Sequence, residues 1–218
     1  MASHTLVIKL PVRYRALGWA PMGGGLKRAS AIINHQIARD DRVATEAPVP
    51  YLSRLAISLG FRPRDCIAMM TGANVNRGGR ATMRRRGLAV SGWCTAGCSN
   101  ALRVGDRATA SSSPPGTINI AVVINRPVTI AALAEGLQVA VEARILAVQE
   151  TGLKSIRSGL PATGTGTDCI VVAAPEPEMK APGDVISYCG KHTVLGELIG
   201  RTVMRACTIA LNRQAGSA

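Results

Sequence analysis

Two segments of this chain open in the same way, and they constrain its fold more than anything else in it. Gly116-Thr-Ile-Asn-Ile-Ala-Val-Val-Ile124 and Gly166-Thr-Asp-Cys-Ile-Val-Val-Ala-Ala174 each place a Gly-Thr pair before an apolar run of strand length. A run that is apolar at successive positions suits a strand covered on both faces. Each segment leads on to a long amphipathic helix. The first carries Ile130, Leu133, Leu137, Val141, Ile145 and Val148, with Thr129 as its N-cap. The second carries Leu195, Ile199, Val203, Ala206 and Ala210 and starts from Thr193. Buried strands alternating with long helices predict a mixed α/β layered domain. The pattern leaves the strand order open: the sheet is either doubly wound or part of a four-layer sandwich. Strand-start grammar accounts for the shared layout better than internal duplication does.

The other segments are shorter. Thr5–Val12 reads as a strand in an N-terminal segment covering residues 1–19, and Met22–Gly25 as a flexible turn. Lys27–Ile37 reads as either a short helix or an extended segment. Asp40–Pro50, polar with two prolines, reads as a loop. Pro50–Leu59 has helical spacing, with Gly60 as its stop. Asp65–Thr71 and Leu88–Thr95 read as strands. Between them, Asn76–Arg86 is the most basic stretch and reads as a mobile loop or a hairpin edge. Residues 108–115 form a polar internal loop. The patterns on either side of it belong together, so residues 1–218 are expected to form a single domain.

Composition narrows the function classes. Aromatic residues make up 3% of the chain, so the core must be built from aliphatic residues, Ala and Met. The formal charge of +13 draws anions and would suit nucleic acid. Strand-binding modules, however, interleave aromatics for base stacking, and this chain has one Phe, three Tyr and two Trp. Nucleic acid is therefore not the expected partner. Cys94 and Cys98 form a C-x3-C pair with no zinc-finger histidine after it, and the other cysteines mostly sit in apolar runs. Reduced core thiols, no bound metal and a cytoplasmic location are expected. Met1–Leu10 is too short and too charged for a secretory leader. No apolar run reaches the ~20 residues that span a bilayer.

Several motifs could carry chemistry. In Ala162-Thr-Gly-Thr-Gly-Thr-Asp168, glycines can leave backbone N–H groups open while hydroxyls and a carboxylate crowd one turn. Such a segment cradles an anion or lines an oxyanion site, or is simply a tight turn. Lys191 and His192 stand just before a helix start and offer a proton donor, or else lie in a solvated loop. Cys98, Ser99 and Asn100 sit in a small-residue segment with two potential nucleophiles and an amide. Gly23–Gly25 and Asn34-His35 form a further candidate group. Glu142 lies beside the buried stripe of its helix, where pairing with Arg144 or another cation is the default.

Taken in order, these segments resemble the adenosylcobinamide amidohydrolase family. The series runs Gly-Gly-Gly, Asn-His, MMTGANV, TAGCSNALRVGD, GTINIAVVIN, VEAR, ATGTGTDCIVVA and YCGKHTVLGELIGRTV, over about residues 20–207. ATGTGTD followed by GKHTVLGELIG is the most telling pair. The resemblance implies hydrolysis of the amide joining a corrin ring to its aminopropanol arm, giving adenosylcobyric acid for cobalamin salvage. The cobalt belongs to the substrate, and no protein-bound cofactor is implied. Val141 and Arg144 stand where the family is expected to have a threonine and a lysine, and Cys98 where an aliphatic residue is more usual.

Within those motifs, Asp168 or Glu142 is expected to act as general base and His192 or Lys191 as proton donor. The backbone from Gly164 through Thr165 and Gly166 to Thr167 would supply oxyanion donors. Gly24, Asn34, His35, Ser99, Asn100 and Thr163 would complete the substrate pocket. The alternatives are a non-catalytic corrinoid-binding protein, and an amidase or peptidase using Ser99, Cys98 or a threonine of the TGTGTD run. The sequence leaves open whether the chain pairs as a homodimer.

Overall fold

The structure is a computed structural model that describes residues 4–38, 40–108, 116–177 and 185–215. In chain order the strands are β1 (Thr5–Gly18), β2 (Gly25–Gln36), β3 (Cys66–Thr71), β4 (Gly79–Arg85), β5 (Leu88–Ala96), β6 (Ala101–Leu102), β7 (Ile118–Ile124), β8 (Gly164–Thr165) and β9 (Cys169–Pro175). The helices are α1 (Arg42–Glu46), α2 (Pro48–Ser58), α3 (Ile130–Glu150) and α4 (Val194–Ala215). Seven strands form one mixed sheet in the order β3-β2-β1-β9-β7-β5-β4, and β6 and β8 pair separately.

This sheet is not flat. Asn34 in β2 bonds to Asn119 in β7 and to Thr95 in β5, each over 2.9 Å. Three strand steps at the usual spacing would separate β2 from β7 by roughly 14 Å. The sheet must therefore fold back on itself, and β1 is where it turns. Its first half, through Lys9, pairs with β2, whereas Tyr14–Gly18 pairs with both β2 and β9. The register breaks between Lys9 and Tyr14, at a corner containing Pro11, a residue with no N–H to give a ladder.

The two wings enclose one core and each carries helices outside. Ile32 of β2, Ile67 and Met69 of β3, Ala121 of β7 and Val171 of β9 meet between the wings. Alternate residues of β7 and β9, such as Ile120, Val122, Ile170 and Val172, face the other way into a core with α3 and α4. Ala31, Ile33, Cys66 and Ala68 pack with Leu52 and Ala56 of α2 on the opposite side. The layers run helix, sheet, sheet, helix, so of the two architectures left open by the sequence the sandwich is the one formed.

Local chemistry accounts for most of the elements. The Thr129 side chain accepts from the Ala132 N–H and caps α3. Thr193 does the same for the Gly196 N–H at the start of α4. Lys27–Ile37, left between helix and strand, is extended because β-branched Ile32 and Ile33 are buried on opposite faces of β2. Asp40–Pro50 is not simply a loop: Asp41 caps α1 through the Ala44 N–H, and Pro48 opens α2. The basic stretch is not a mobile loop. It contains β4, an edge strand hairpinned to β5, the second of the two forms the sequence left open; charged side chains on an edge strand in general discourage further pairing. Arg80 lies 5.2 Å from the ring centre of Trp93, and Arg85 pairs with Glu197. The internal loop falls, beyond Ala108, outside the described residues.

All six cysteines are free, and five are buried. No described helix is long and apolar enough to cross a membrane. Among the described residues, no group of three or more His, Cys, Asp or Glu side chains is arranged to hold a metal ion.

Candidate active site

A cavity of about 740 Å³ opens where the wings meet. That is within the usual size range of small-molecule sites, roughly 300–1,000 Å³. Its walls come from the end of β3 (Met70, Thr71), the starts of β7 (Thr117, Asn119) and β9 (Cys169), the Gly166–Asp168 turn, and Asn100 with the loop after β6. Trp19, 46% exposed, stands at the edge, its indole N–H donating to the Asp168 carbonyl over 2.6 Å.

Asp168 organises the turn. One carboxylate oxygen accepts from the Ile118 N–H (3.0 Å) and the Thr165 hydroxyl. The other accepts from the Thr165 N–H (2.9 Å) and the Arg144 guanidinium. Gly164 leaves room for that pair, since a Cβ there would lie 2.1 Å from the carboxylate and 2.3 Å from the guanidinium. With both oxygens engaged, Asp168 holds the start of β7 to the turn before β9.

Above it runs a polar line through the core. The Thr117 hydroxyl lies 2.7 Å from the Thr167 carbonyl and 3.1 Å from Asn119 Oδ1, so two acceptors compete for one proton. Asn119 donates to Asn34 and, over 2.7 Å, to the Met70 carbonyl; Asn34 donates to Thr95. Strand alternation brings these residues together: Asn34 is two positions from Ile32, and Asn119 two from Ala121, so all face the space between the wings. The Thr167 hydroxyl donates over 2.9 Å to the Gly116 carbonyl, next to Thr117. Asn100 is 4% exposed, and its Oδ1 has no partner among the described residues.

The residues singled out from the sequence divide into those at the cavity and those away from it. Asn100, Gly166, Thr167 and Asp168 line it. Asn34 lies one hydrogen bond behind it. Thr163 and Thr165 tie the turn together: Thr163 accepts from the Val104 N–H, and Thr165 donates to Asp168. Gly164 is buried under the Arg144 pair. Gly24, His35 and Ser99 are not in the wall; His35 bonds to Thr5 and Tyr51.

Glu142, Lys191 and His192 also lie outside the lining, which separates them from Asp168. Glu142 pairs with Lys191 over 2.6 Å, not with Arg144, and also accepts from Gln138. The Lys191 ammonium, then the Gln138 amide, hold the Glu142 carboxyl below its usual range, which makes it a weaker base. Helix phase causes this: Arg144 points inward to Asp168, whereas Glu142 points to solvent. Burial pushes the Cys98 thiol up to about 11, which disfavours the thiolate a nucleophile needs.

Thr117, Asn119 and Trp19 complete the site and were not singled out by motif; Arg144, read from the sequence as a default partner for Glu142, pairs with Asp168 instead. The Gly-Thr start of the first strand segment was the available signal for Thr117.

The family model for adenosylcobinamide amidohydrolases matches residues 1–218. The chain belongs to the adenosylcobinamide amidohydrolase family. A Halobacterium salinarum protein named adenosylcobinamide amidohydrolase is 30% identical over 208 residues, covering 92% of this chain and 80% of that one. An uncharacterized protein of Methanocaldococcus jannaschii is 28% identical over 231 residues, covering 97% of this chain and 87% of the relative. Among solved structures, a Pyrococcus horikoshii protein has a TM-score of 0.45 at 12% identity, over 97% of this chain and 74% of that one. The L-aminopeptidase D-Ala-esterase/amidase of Ochrobactrum anthropi has a TM-score of 0.44 at 12% identity, over 96% and 77%. For this amidohydrolase family member, the cavity between the wings is the candidate active site.

Proposed function

We propose that this protein hydrolyses the amide linking the corrin ring of adenosylcobinamide to its aminopropanol arm, releasing adenosylcobyric acid. Its membership of the family over the whole chain carries this reading. The cavity is compatible with it. Its volume suits an inserted arm, leaving the macrocycle at the mouth beside Trp19. Apolar Ile37, Met70 and Leu102 alternate there with hydrogen-bonding groups.

In this reading the Thr117 hydroxyl attacks the substrate carbonyl, forming an ester and releasing the amino alcohol, and water then cleaves the ester. Splitting a difficult hydrolysis into two easier acyl transfers is the ordinary gain of covalent catalysis. The Thr167 hydroxyl is the nearby donor for the developing oxyanion, a contribution typically worth about 100–1,000-fold. Asn119 positions Thr117. The earlier roles for Glu142, Lys191 and His192 would require groups outside the cavity to reach its reacting centre.

The test is incubation of purified protein with adenosylcobinamide, followed by chromatography and mass spectrometry. Adenosylcobyric acid is expected from the wild-type chain and none from Thr117→Ala. Corrinoid binding without product would instead identify a binding protein.

A further inference from the structure

An amidase built around Thr117 needs a base, and the described lining of the cavity holds only two carboxylates, both already accepting hydrogen bonds. No described histidine lines it. Asp168 has four donors on its two oxygens. Asp106, the other lining carboxylate, accepts from the Ser155 hydroxyl and, over 2.7 Å, from the Arg103 N–H. Threonine has one further base within reach, its own α-amino group. That group becomes available only if the peptide bond before Thr117 is opened.

The surroundings of that bond suit its opening. The Gly116 carbonyl accepts from the Thr167 hydroxyl over 2.9 Å, a donor placed where negative charge would develop if this carbonyl were attacked. The Thr117 side chain, the adjacent nucleophile, lies against two acceptors that can orient it. The unit is clamped on both sides. The Gly97 N–H donates to the Thr117 carbonyl over 2.9 Å. A Cβ on Gly116 would lie 2.3 Å from Asn100 Oδ1 and 2.7 Å from the Gly97 carbonyl, so only glycine fits there without a shift. Asn100 Oδ1, the buried acceptor without a partner, thus adjoins the same bond. An ammonium released beside it would supply the missing donor.

We infer that the chain cleaves its own Gly116–Thr117 peptide bond, and that the resulting N-terminal Thr117 is the nucleophile with its α-amine as general base. The Thr117 oxygen adds to the Gly116 carbonyl carbon, giving a cyclic tetrahedral intermediate. This collapses with rupture of the C–N bond. The hydroxyl proton passes to the departing nitrogen, and Gly116 is left as an ester on Thr117. Water then hydrolyses the ester, yielding a Gly116 carboxylate and a free Thr117 hydroxyl and amine. An α-amine titrates near 7.7–8.0 in model peptides, so roughly a tenth or more of it is unprotonated and available as a base at neutral pH. The use of Thr117 on a corrinoid rests on the proposed amidase reading; the cleavage itself does not.

Intact-mass measurement and N-terminal sequencing of the purified chain test this directly. Two fragments are expected, 1–116 and 117–218, together one water heavier than the full chain. Thr117→Ser is expected to remain cleaved, Thr117→Ala to stay whole, and Thr167→Val to cleave about 100-fold more slowly or worse. A folded wild-type chain that stays whole through prolonged incubation overturns the inference, whether or not it turns over corrinoid. Cleavage at the same bond in Thr117→Ala overturns it too, since an outside protease would then be responsible. Fragments without corrinoid turnover leave self-cleavage standing and count against the proposed substrate.

Discussion

The Arg144 guanidinium and the Asp168 carboxylate form an ion pair beneath the cavity, with side chains 12% and 6% exposed. Arg144 comes from α3 and Asp168 from the turn leading into β9, so the pair pins the helix layer to the floor of the site.

The two partners are not equivalent. Asp168→Asn leaves a buried guanidinium uncompensated, and its Nε already has no partner among the described residues. Breaking a buried pair in this way costs on the order of 3–5 kcal/mol. Arg144→Met removes the cation but leaves Asp168 its bonds from Thr165 and Ile118. Urea unfolding is expected to show the larger loss for Asp168→Asn. Equal losses would mean that Arg144 is stabilised by something other than this carboxylate.

Asn34 is the buried link between the wings. Asn34→Ala removes an acceptor from Asn119 and a donor from Thr95. Each buried polar group left unpaired costs about 1–3 kcal/mol. Because Asn119 also contacts the Thr117 hydroxyl, kcat is expected to fall in the folded variant while KM changes little. A change confined to KM would place Asn34 in substrate binding instead.

How much of this was legible in the sequence follows from what each signal depends on. Thr129 and Thr193 announced their helices because a cap is a local bond between neighbours in the chain. The apolar runs in β7 and β9 announced burial because both faces are covered. The corner in β1 was not legible, since it exists only through pairing with β2 and β9. Nor was the line from Thr117 to Asn34, which joins residues brought together by the folding back of the sheet. Glu142 and Arg144 show a finer limit. They are two positions apart on one helix, and only its phase against β8 and β9 decides which of them faces inward.

Glu142 and Lys191 give a direct test of that phase. Their side chains are 37% and 69% exposed, and surface pairs of this kind contribute about 0–1 kcal/mol. Glu142→Gln and Lys191→Met are expected to leave kcat/KM nearly unchanged, since neither residue lines the cavity, and to change unfolding only slightly. A loss of several hundredfold would mean that this surface reaches the reacting groups.

Asp106 ties the Arg103–Ala108 loop to the segment around Ser155 at the cavity rim. The Ser155 hydroxyl, then Ser158 and the Arg103 N–H, hold its carboxyl below the ordinary value of 3.8. A depressed folded-state value stabilises the fold wherever the unfolded-state carboxyl is ionised. That contribution is complete at neutral pH, begins to shrink as the pH approaches 3.8 from above, and is lost as the pH falls through the folded-state value. Asp106→Asn is therefore expected to be less stable than wild type at neutral pH. The gap should narrow in acid as the wild-type carboxylate is protonated. Denaturation midpoints from pH about 7 down to about 2 would show the two curves converging in the carboxylate range; parallel curves would mean that the charge on Asp106 contributes nothing to the loop.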